Sequence, residues 1–331
     1  MLARRQLLAA GPLLAASLAA PWIRRANAAS GHALRIGYIL PVQSQLGAGA
    51  TVFADEVAKR TGGRITIQQF PDSTLGGDVE LLKGVQLGSI DLAFVTGMGL
   101  STVLPEAGVL NIPFLFRDVG QAHAVMDGAV GESFRTLFAG KDMVMLAWGE
   151  NGIRHMTNSK HTITTPDDLK GLKIRLPQSE VLLKGFQALG VDAASVPFPQ
   201  LFEALRAGKF DGQENPIATI RAAKFEQVQK FLTLTAHAYD PAVFVMSPDG
   251  FDELSAEDKK SFAEAAKLGG EASRKFAASA ESEGVAALRQ AGMTVQIDID
   301  RARFASAMAS AMGGFETRFG RERIEQIRQT A

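Results

Sequence analysis

Strand-like and helix-like segments alternate along most of this chain, with only short connections between them. Residues 49–60 have the pattern of an amphipathic helix, with Phe53 and Val57 four positions apart on one face. Residues 64–70 alternate isoleucine with polar residues, which is the period of a half-buried strand. The other candidates are strands at 34–40, 90–95, 143–148, 173–176 and 242–246 and a helix at 78–87. This alternation predicts an α/β fold in which helices cover parallel-rich sheets.

The last part of the chain has a different composition. From residue 256 to about residue 291 there is no proline, and alanine, glutamate, lysine and serine predominate. This stretch predicts a helix much longer than the average helix of a globular protein. Because glycine weakens a helix, Gly269, Gly270 or Gly284 is predicted to bend or break it. The remaining predicted elements are a short strand at 294–297 and a terminal helix from Arg301.

The first 28 residues predict the destination of the protein. They read MLARRQLLAAGPLLAASLAAPWIRRANA, with a basic start, an apolar run and an Ala-Asn-Ala end. This is the layout of a cleavable export signal, and the cut is expected after Ala28. The Arg4-Arg5 pair favours the twin-arginine export route, with an ordinary secretory signal as the alternative.

Composition excludes several kinds of site. The full chain has 35 basic and 35 acidic side chains, and residues 1–28 hold four arginines and no acid, so the rest carries a net charge of −4. Such mild acidity gives no electrostatic footprint for nucleic acid. The absence of cysteine excludes disulfides, thiolate catalysis and cysteine-bound zinc. The part of the chain after the predicted signal has about 300 residues, a length that favours two domains. No segment in that part approaches membrane-spanning length without a charge.

The sequence carries no recognisable catalytic or metal-binding motif. The five histidines are His32, His123, His155, His161 and His237. No pair of them has the H-x-x-x-H spacing of a helical zinc site, and there is no G-x-S-x-G elbow or Walker loop. The glycines at 47–49 and 97–99 lack the rest of a dinucleotide fingerprint. We therefore predict no enzyme activity, no cofactor and no metal site.

Four blocks of sequence together resemble one protein family. The blocks are TGGRITIQQFPDSTLGG at 61–77, LKGVQLGSIDLAFV at 82–95 followed by LNIPFLF at 110–116, DLKGLKIRLPQS at 168–179, and FDGQENPIATI at 210–220. In this order they resemble the DctP-type periplasmic solute-binding proteins of tripartite ATP-independent periplasmic (TRAP) transporters. The resemblance covers nearly all of the chain after the signal.

The resemblance implies a two-lobed α/β binding protein that closes like a clamshell on its ligand. Crossover strands and a long helix would join the lobes. Lobe one would comprise residues 31–151 plus 241–280, and lobe two residues 152–240 plus 281–331. Hinge closure of this kind buries the ligand between the lobes. The implied protein is a periplasmic monomer that delivers its ligand to one small and one large membrane subunit.

Arg175 is the leading candidate for ligand binding. It ends the strand candidate 173–175 just before Pro177, where open α/β sheets bind their ligands. A guanidinium group pairs a carboxylate through two parallel hydrogen bonds, and the matching arginine of the family holds the ligand carboxylate. Arg154 matches a second family arginine, although a structural pairing with a neighbouring acid is the alternative. The amide of Asn215 suits the orientation of a carboxylate or a hydroxyl.

Further candidates follow from the same comparison of motifs. Gln178 lies where other members place a polar ligand contact, and Phe198 matches an aromatic residue that packs over the ligand. Thr96 stands where the sialic-acid-binding member carries an acid, so sialate is not the expected ligand. Gln45, Met98 and Glu150 could line the mouth or floor of the site, as could Trp148, although a tryptophan is more often packed in a core. His237 and Tyr239 lie beside the expected crossover boundary and could hydrogen-bond the ligand, with a packing role at the hinge as the alternative.

These observations predict capture of a small carboxylate for transport. Two alternatives from other classes stay open, namely an exported enzyme acting on a similar acid and a binding module that feeds a signalling receptor. The residues do not distinguish among a dicarboxylate, a sugar acid, a keto or hydroxy acid and an aromatic acid.

Overall fold

The structure, a computed structural model, describes residues 32–331. The predicted export signal, residues 1–28, lies outside the described residues. Within them strands and helices alternate as the sequence predicts, and the fold belongs to the α/β class. No helix among residues 32–331 combines the length and the apolar character needed to cross a bilayer.

Nine strands form one mixed sheet. They are β1 His32–Gly37, β2 Ile65–Phe70, β3 Leu92–Thr96, β4 Val144–Asn158, β5 Lys173–Leu176, β6 Asp192–Ser195, β7 Gly212–Pro216, β8 Phe231–Met246 and β9 Thr294–Gln296. The order across the sheet is β2-β1-β3-β8-β4-β7-β5-β6, and β9 pairs with β8. Pairing is parallel among β1, β2 and β3 and among β5, β6 and β7, and antiparallel where these groups meet β8 and β4.

Two long antiparallel strands form the centre of the sheet. β4 contains 15 residues and β8 contains 16. One end of β8 pairs with β3, and the far end of β4 pairs with β7, so both strands pass from one half of the sheet to the other. The sequence predicted only the segments 143–148 and 242–246 of these strands. Gly152 and Pro241 lie within them, and both residue types usually mark the end or edge of a strand.

Thirteen α-helices surround the sheet in the described part of the chain. They are α1 Gln45–Arg60, α2 Asp78–Gln86, α3 Gly97–Val103, α4 Val119–Asp127, α5 Ala129–Ala139, α6 Glu180–Ala188, α7 Leu201–Arg206, α8 Ile217–Ala222, α9 Pro248–Asp252, α10 Ala256–Gln290, α11 Arg301–Met308, α12 Met312–Phe319 and α13 Arg321–Gln329. α1 begins four residues before its predicted start because the Ser44 hydroxyl accepts a hydrogen bond from the Gly47 N–H over 3.1 Å. The glycines at 47 and 49 had obscured that first turn.

The long helix α10 runs without interruption for 35 residues. The predicted break at its glycines does not occur. A Cβ atom at Gly270 would collide with the Trp148 carbonyl, and one at Gly269 would lie 2.7 Å from the Gly49 carbonyl. These glycines therefore let α10 approach β4 and α1 closely, and that packing offsets their weak helix propensity.

Buried apolar side chains form three clusters. The largest lies around β1, β3 and the adjoining part of β8, and the other two lie around β5 and β7. Phe315, Ile324 and Ile327 of the C-terminal helices belong to the largest cluster. These helices thus pack against the half that contains β1 and β3, whereas the sequence assigned 281–331 to lobe two. The lobe boundaries themselves remain a prediction.

Candidate ligand-binding site

One cavity lies where several strands end, and six of the ten predicted ligand-binding residues line it. The six residues are Arg175, Arg154, Asn215, Gln178, Phe198 and Thr96. Thr96 is the last residue of β3, and Arg175 and Asn215 are the last but one of β5 and β7. The strand ends therefore bring together side chains that are far apart in the sequence.

Arg175 is buried without a carboxylate partner. Its side chain is 1 % exposed, and its Nε donates to the Val196 carbonyl over 2.8 Å. Within residues 32–331 it forms no ion pair. Burial lowers the pKa of Arg175 to about 9, against the opposing attraction of Glu214. The guanidinium therefore remains a cation at neutral pH, and an anion in the cavity would relieve the cost of burying it unpaired.

Arg154 is already neutralised by acidic side chains. Its Nε and Nη2 donate to the two carboxylate oxygens of Glu214 over 2.5 and 2.7 Å, and its Nη1 donates to Asp240 over 2.7 Å. Burial alone would lower the pKa of Arg154, but the charges of Glu214 and Asp240 raise it further than burial lowers it. The contacts match the structural alternative considered for this residue. Arg154 nevertheless also borders the cavity.

Asn215 and Phe198 both line this cavity. The Asn215 side chain accepts from Arg154 Nη2 over 3.2 Å and donates to Gln213 Oε1 over 2.5 Å. Phe198 opens a short 3-10 helix, Phe198–Gln200, and packs with its ring 6.3 Å from that of Phe225. The Asn215 amide is thus held in one orientation beside the cavity.

The other four predicted residues lie outside this cavity. Met98 is buried in the apolar cluster around β5. Glu150 lines a separate cleft, accepts from the Tyr239 hydroxyl over 3.2 Å and contacts His123 Nε2. Trp148 packs in the core and donates from Nε1 to the Gly131 carbonyl over 3.2 Å.

Gln45 and His237 contact residues of the site without reaching the cavity. Gln45 Nε2 donates to Asn151 Oδ1 over 2.6 Å and to Thr219 Oγ1 over 2.8 Å. His237 is fully buried, and burial lowers its pKa although Glu214 opposes the shift. The neutral imidazole donates from Nε2 to Glu214 over 3.1 Å. Gln45 thus supports two side chains that border the cavity, whereas His237 supports Glu214, the partner of Arg154.

Sequence reasoning missed the acid of the cavity, Asp78. Its Oδ2 accepts from the Thr96 hydroxyl over 2.6 Å, and its Oδ1 accepts from the Thr96 N–H over 3.2 Å. Burial raises the pKa of Asp78 to about 7, although the hydrogen bonds from Thr96 oppose the shift. Asp78 is the first residue of α2, where an acid is usually explained by the helix dipole. That ordinary explanation hid its position at the cavity.

Two further polar residues of the cavity were also missed. Asn151 donates from Nδ2 to Asp240 over 2.7 Å, and Thr219 donates to Asn151 Oδ1 over 3.2 Å. Burial raises the pKa of Asp240, against the attraction of Arg154. No motif in the sequence signals Asn151, which lies in the middle of a long strand. Among residues 32–331 no group of three or more histidine, aspartate or glutamate side chains is arranged to hold a metal ion.

Comparison with known proteins identifies the family. The model of DctP, described as bacterial extracellular solute-binding protein, family 7, matches residues 36–317. The chain belongs to this family. A solute-binding protein of Verminephrobacter eiseniae is 44 % identical over 303 residues, which cover 92 % of this chain and 90 % of that protein. The 2,3-diketo-L-gulonate-binding periplasmic protein YiaO of Escherichia coli is 36 % identical over 279 residues, or 84 % of this chain and 85 % of YiaO.

A solved structure supports the same assignment for the DctP-family chain. The TRAP periplasmic solute-binding protein of Polaromonas sp. JS666, bound to D-erythronate, is 44 % identical with a TM-score of 0.89. The match covers 90 % of this chain and 99 % of that one. The predicted family and the two-lobed α/β fold are therefore confirmed. These relatives are solute-binding proteins, so the prediction of a binding protein rather than an enzyme is confirmed as well.

Proposed function

We propose that this DctP-family protein captures a small organic acid in the periplasm by pairing the acid's carboxylate with Arg175. The observation that carries the proposal is the buried, unpaired guanidinium at the wall of a polar cavity. Every other buried cation of the cavity is balanced, since Arg154 has Glu214 and Asp240 as partners. Arg175 alone among the described cavity residues is a cation that lacks an anion.

The chemistry of the cavity suits a carboxylate better than a neutral solute. Nε of Arg175 is fixed by the Val196 carbonyl, which leaves the terminal nitrogens of the guanidinium to donate to a ligand. Two parallel hydrogen bonds to a carboxylate are the strongest arrangement for such a group. The ligands named for relatives, D-erythronate and 2,3-diketo-L-gulonate, are acids and support this class of ligand.

Groups from both predicted lobes border the cavity. Asp78 and Thr96 come from predicted lobe one, and Arg175 and Asn215 from predicted lobe two. A ligand between them would be held from both sides, so its binding energy would favour the closed form. In our proposal the closed protein then delivers the acid to the small and large TRAP membrane subunits as a monomer.

A thermal-shift screen of the exported protein against a library of organic acids tests the proposal. A ligand that binds only the folded state raises the unfolding temperature in proportion to the logarithm of its excess over Kd. At least one carboxylate is expected to stabilise the protein, and its amide or methyl ester is expected to have no effect. Arg175→Ala is expected to abolish this response, and Arg206→Ala, which removes an exposed arginine that does not line the cavity, is its matched control. An equal response of acid and ester would contradict the carboxylate clamp.

Two further measurements separate the alternatives. An exported enzyme would convert its acid, whereas the proposed binding protein returns it unchanged when the complex is denatured. A receptor module would not support transport. Uptake of the labelled acid into vesicles that contain the TRAP membrane subunits should require this protein, and uptake at the same rate without it would overturn the transport role.

A further inference from the structure

The cavity contains a carboxyl group without an ion-pair partner as well as a guanidinium cation without one. Asp78 lines the same cavity as Arg175 and forms no ion pair within residues 32–331. Its only hydrogen-bond partner in the described part of the chain is Thr96, through the hydroxyl and the backbone N–H. Arg154, whose charge lowers the pKa of Asp78, is already balanced by Glu214 and Asp240. Apart from the attraction of Arg175 in the same cavity, the Asp78 carboxyl therefore has no unbalanced cation to compensate its charge.

The position of this carboxyl is fixed by its surroundings. Asp78 begins α2, and the start of α3 packs directly against it. A Cβ atom at Gly99 would collide with Cβ of Asp78 and would lie 2.9 Å from its Oδ2. The absence of a side chain at Gly99 thus makes room for the acid, and Thr96 holds both of its oxygens.

The pair of Asp78 and Thr96 offers acceptors to a ligand. An ionised carboxylate only accepts hydrogen bonds, and the single hydroxyl hydrogen of Thr96 is already donated to Asp78. Arg175, which lines the same cavity, offers donors. A ligand that satisfies both groups needs a carboxylate for Arg175 and a hydroxyl donor for Asp78.

We propose that Asp78, oriented by Thr96, makes this site selective for hydroxylated monocarboxylates and against dicarboxylates. This inference rests on the proposed function, because it assumes that the ligand carboxylate pairs with Arg175. Above about pH 7, where Asp78 is ionised, a second carboxylate near it would place two like charges together in a buried site. The one unpaired cation of the cavity, Arg175, is already used by the first carboxylate, so the penalty is strong. An acid without any hydroxyl would leave Asp78 desolvated and without a donor. Asp78 is thus a specificity-determining residue.

Calorimetric titration with three four-carbon acids, D-erythronate, butyrate and succinate, tests the inference. At pH 8 the unmutated protein should bind D-erythronate about 100-fold more tightly than butyrate or succinate, because a site built to bond a hydroxyl rejects analogues that lack it. Asp78→Asn removes the charge and keeps the shape. It should raise the affinity for succinate relative to that for D-erythronate by about tenfold or more. Thr96→Val provides a second variant. It should also lower the ratio of D-erythronate to succinate affinity, because the Asp78 carboxyl loses the hydroxyl that fixes its orientation.

The outcomes separate this inference from the function on which it rests. If Arg175→Gln abolishes binding of all acids but Asp78→Asn and Thr96→Val leave the ratio of erythronate to succinate affinity unchanged, the selectivity inference is wrong and the clamp stands. If Arg175→Gln binds as tightly as the unmutated protein, the proposed clamp fails. An unmutated protein that prefers succinate or butyrate, or binds none of the three acids, also overturns the inference. Circular dichroism of each variant establishes that it is folded before its affinity is used.

Discussion

Arg154 donates from Nη1 to Asp240 over 2.7 Å, and both side chains are buried, with Arg154 at the wall of the cavity. Arg154 lies on β4 and Asp240 on β8, so this pair joins the two central strands at the level of the site. Glu214 of β7 completes the cluster by accepting from Nε of Arg154. The cluster has one cation and two acids, which explains why Arg154 has no charge left for a ligand and why the clamp is assigned to Arg175.

Loss of Arg154 should lower the free energy of unfolding. Arg154→Ala leaves Glu214 and Asp240 buried without their partner, and breaking a buried pair in this way costs about 3–5 kcal/mol. Urea denaturation of the exported protein without ligand measures the free energy of unfolding. Arg206→Ala, which removes an exposed partner of Glu203, should leave that free energy nearly unchanged. Equal effects of the two variants would show that the buried cluster is not structural.

The stability of the protein without ligand should depend on the protonation of Asp78. Its pKa is raised from 3.8 to about 7 by burial, so the folded state holds a proton that the unfolded state has lost. The stabilisation from this proton is complete below about pH 4 and disappears as the pH rises through about 7. Arg154, Arg175 and Asp240 face the same region and are present in both the unmutated protein and an Asp78→Asn variant. Burial also raises the pKa of Asp240, so only the difference between the two proteins reports on Asp78.

The difference in denaturation midpoint between the unmutated protein and Asp78→Asn, measured from pH 4 to pH 8, therefore tests the protonation of Asp78. The unmutated protein should lose stability relative to Asp78→Asn across this range. Parallel pH profiles for the two proteins would mean that Asp78 titrates normally and that its burial has no energetic consequence.

The glycines of α10 should be required for close packing. A Cβ atom at Gly270 would collide with the Trp148 carbonyl, so Gly270→Ala should force α10 away from β4 and destabilise the protein by about 1–3 kcal/mol. Gly313 of α12 has no atom near its added Cβ. Gly313→Ala should instead stabilise by about 0.5–1 kcal/mol through helix propensity. Urea denaturation distinguishes the two, and a stabilising Gly270→Ala would refute the packing argument.

Export should remove the first 28 residues. Intact-mass measurement of the protein purified from the periplasm is expected to show a chain that starts at Ala29. Replacement of Arg4 and Arg5 by lysine should block export if the twin-arginine route is used, because that route requires the arginine pair. Normal export of the double variant would favour the ordinary secretory route, and a mass that includes residues 1–28 would contradict the predicted cleavage.

The parts of the site that the sequence revealed lie in compact motifs. Arg175 and Asn215 each lie one residue before the end of a strand, inside a block that resembles the family. The sequence therefore indicated both the type and the place of these residues. The sequence did not predict a ligand-binding role for Asp78, because an acid that begins a helix is ordinarily explained by the helix dipole. Asn151 was hidden for a different reason, since only the pairing of β4 with β8 brings it beside Asp240.

The fold was likewise predictable where local patterns suffice. The alternation of strands and helices and the length of α10 follow from the period of apolar residues and from composition. The full lengths of β4 and β8 do not, because Gly152 and Pro241 are tolerated only through contacts made across the sheet. The packing of α12 and α13 against the cluster around β1 also depends on contacts between distant parts of the chain, which no local pattern encodes.

The most direct test of the account is calorimetric titration of the unmutated protein and Arg175→Met with the acid that stabilises it best. Methionine keeps much of the arginine's length without its charge, and removal of an unpaired buried cation should leave the ligand-free protein at least as stable as before. The unmutated protein is expected to bind one acid per chain. Arg175→Met should lose about 3–5 kcal/mol of binding free energy, or roughly two to three and a half decades of affinity. A folded Arg175→Met protein with an unchanged Kd would contradict the account.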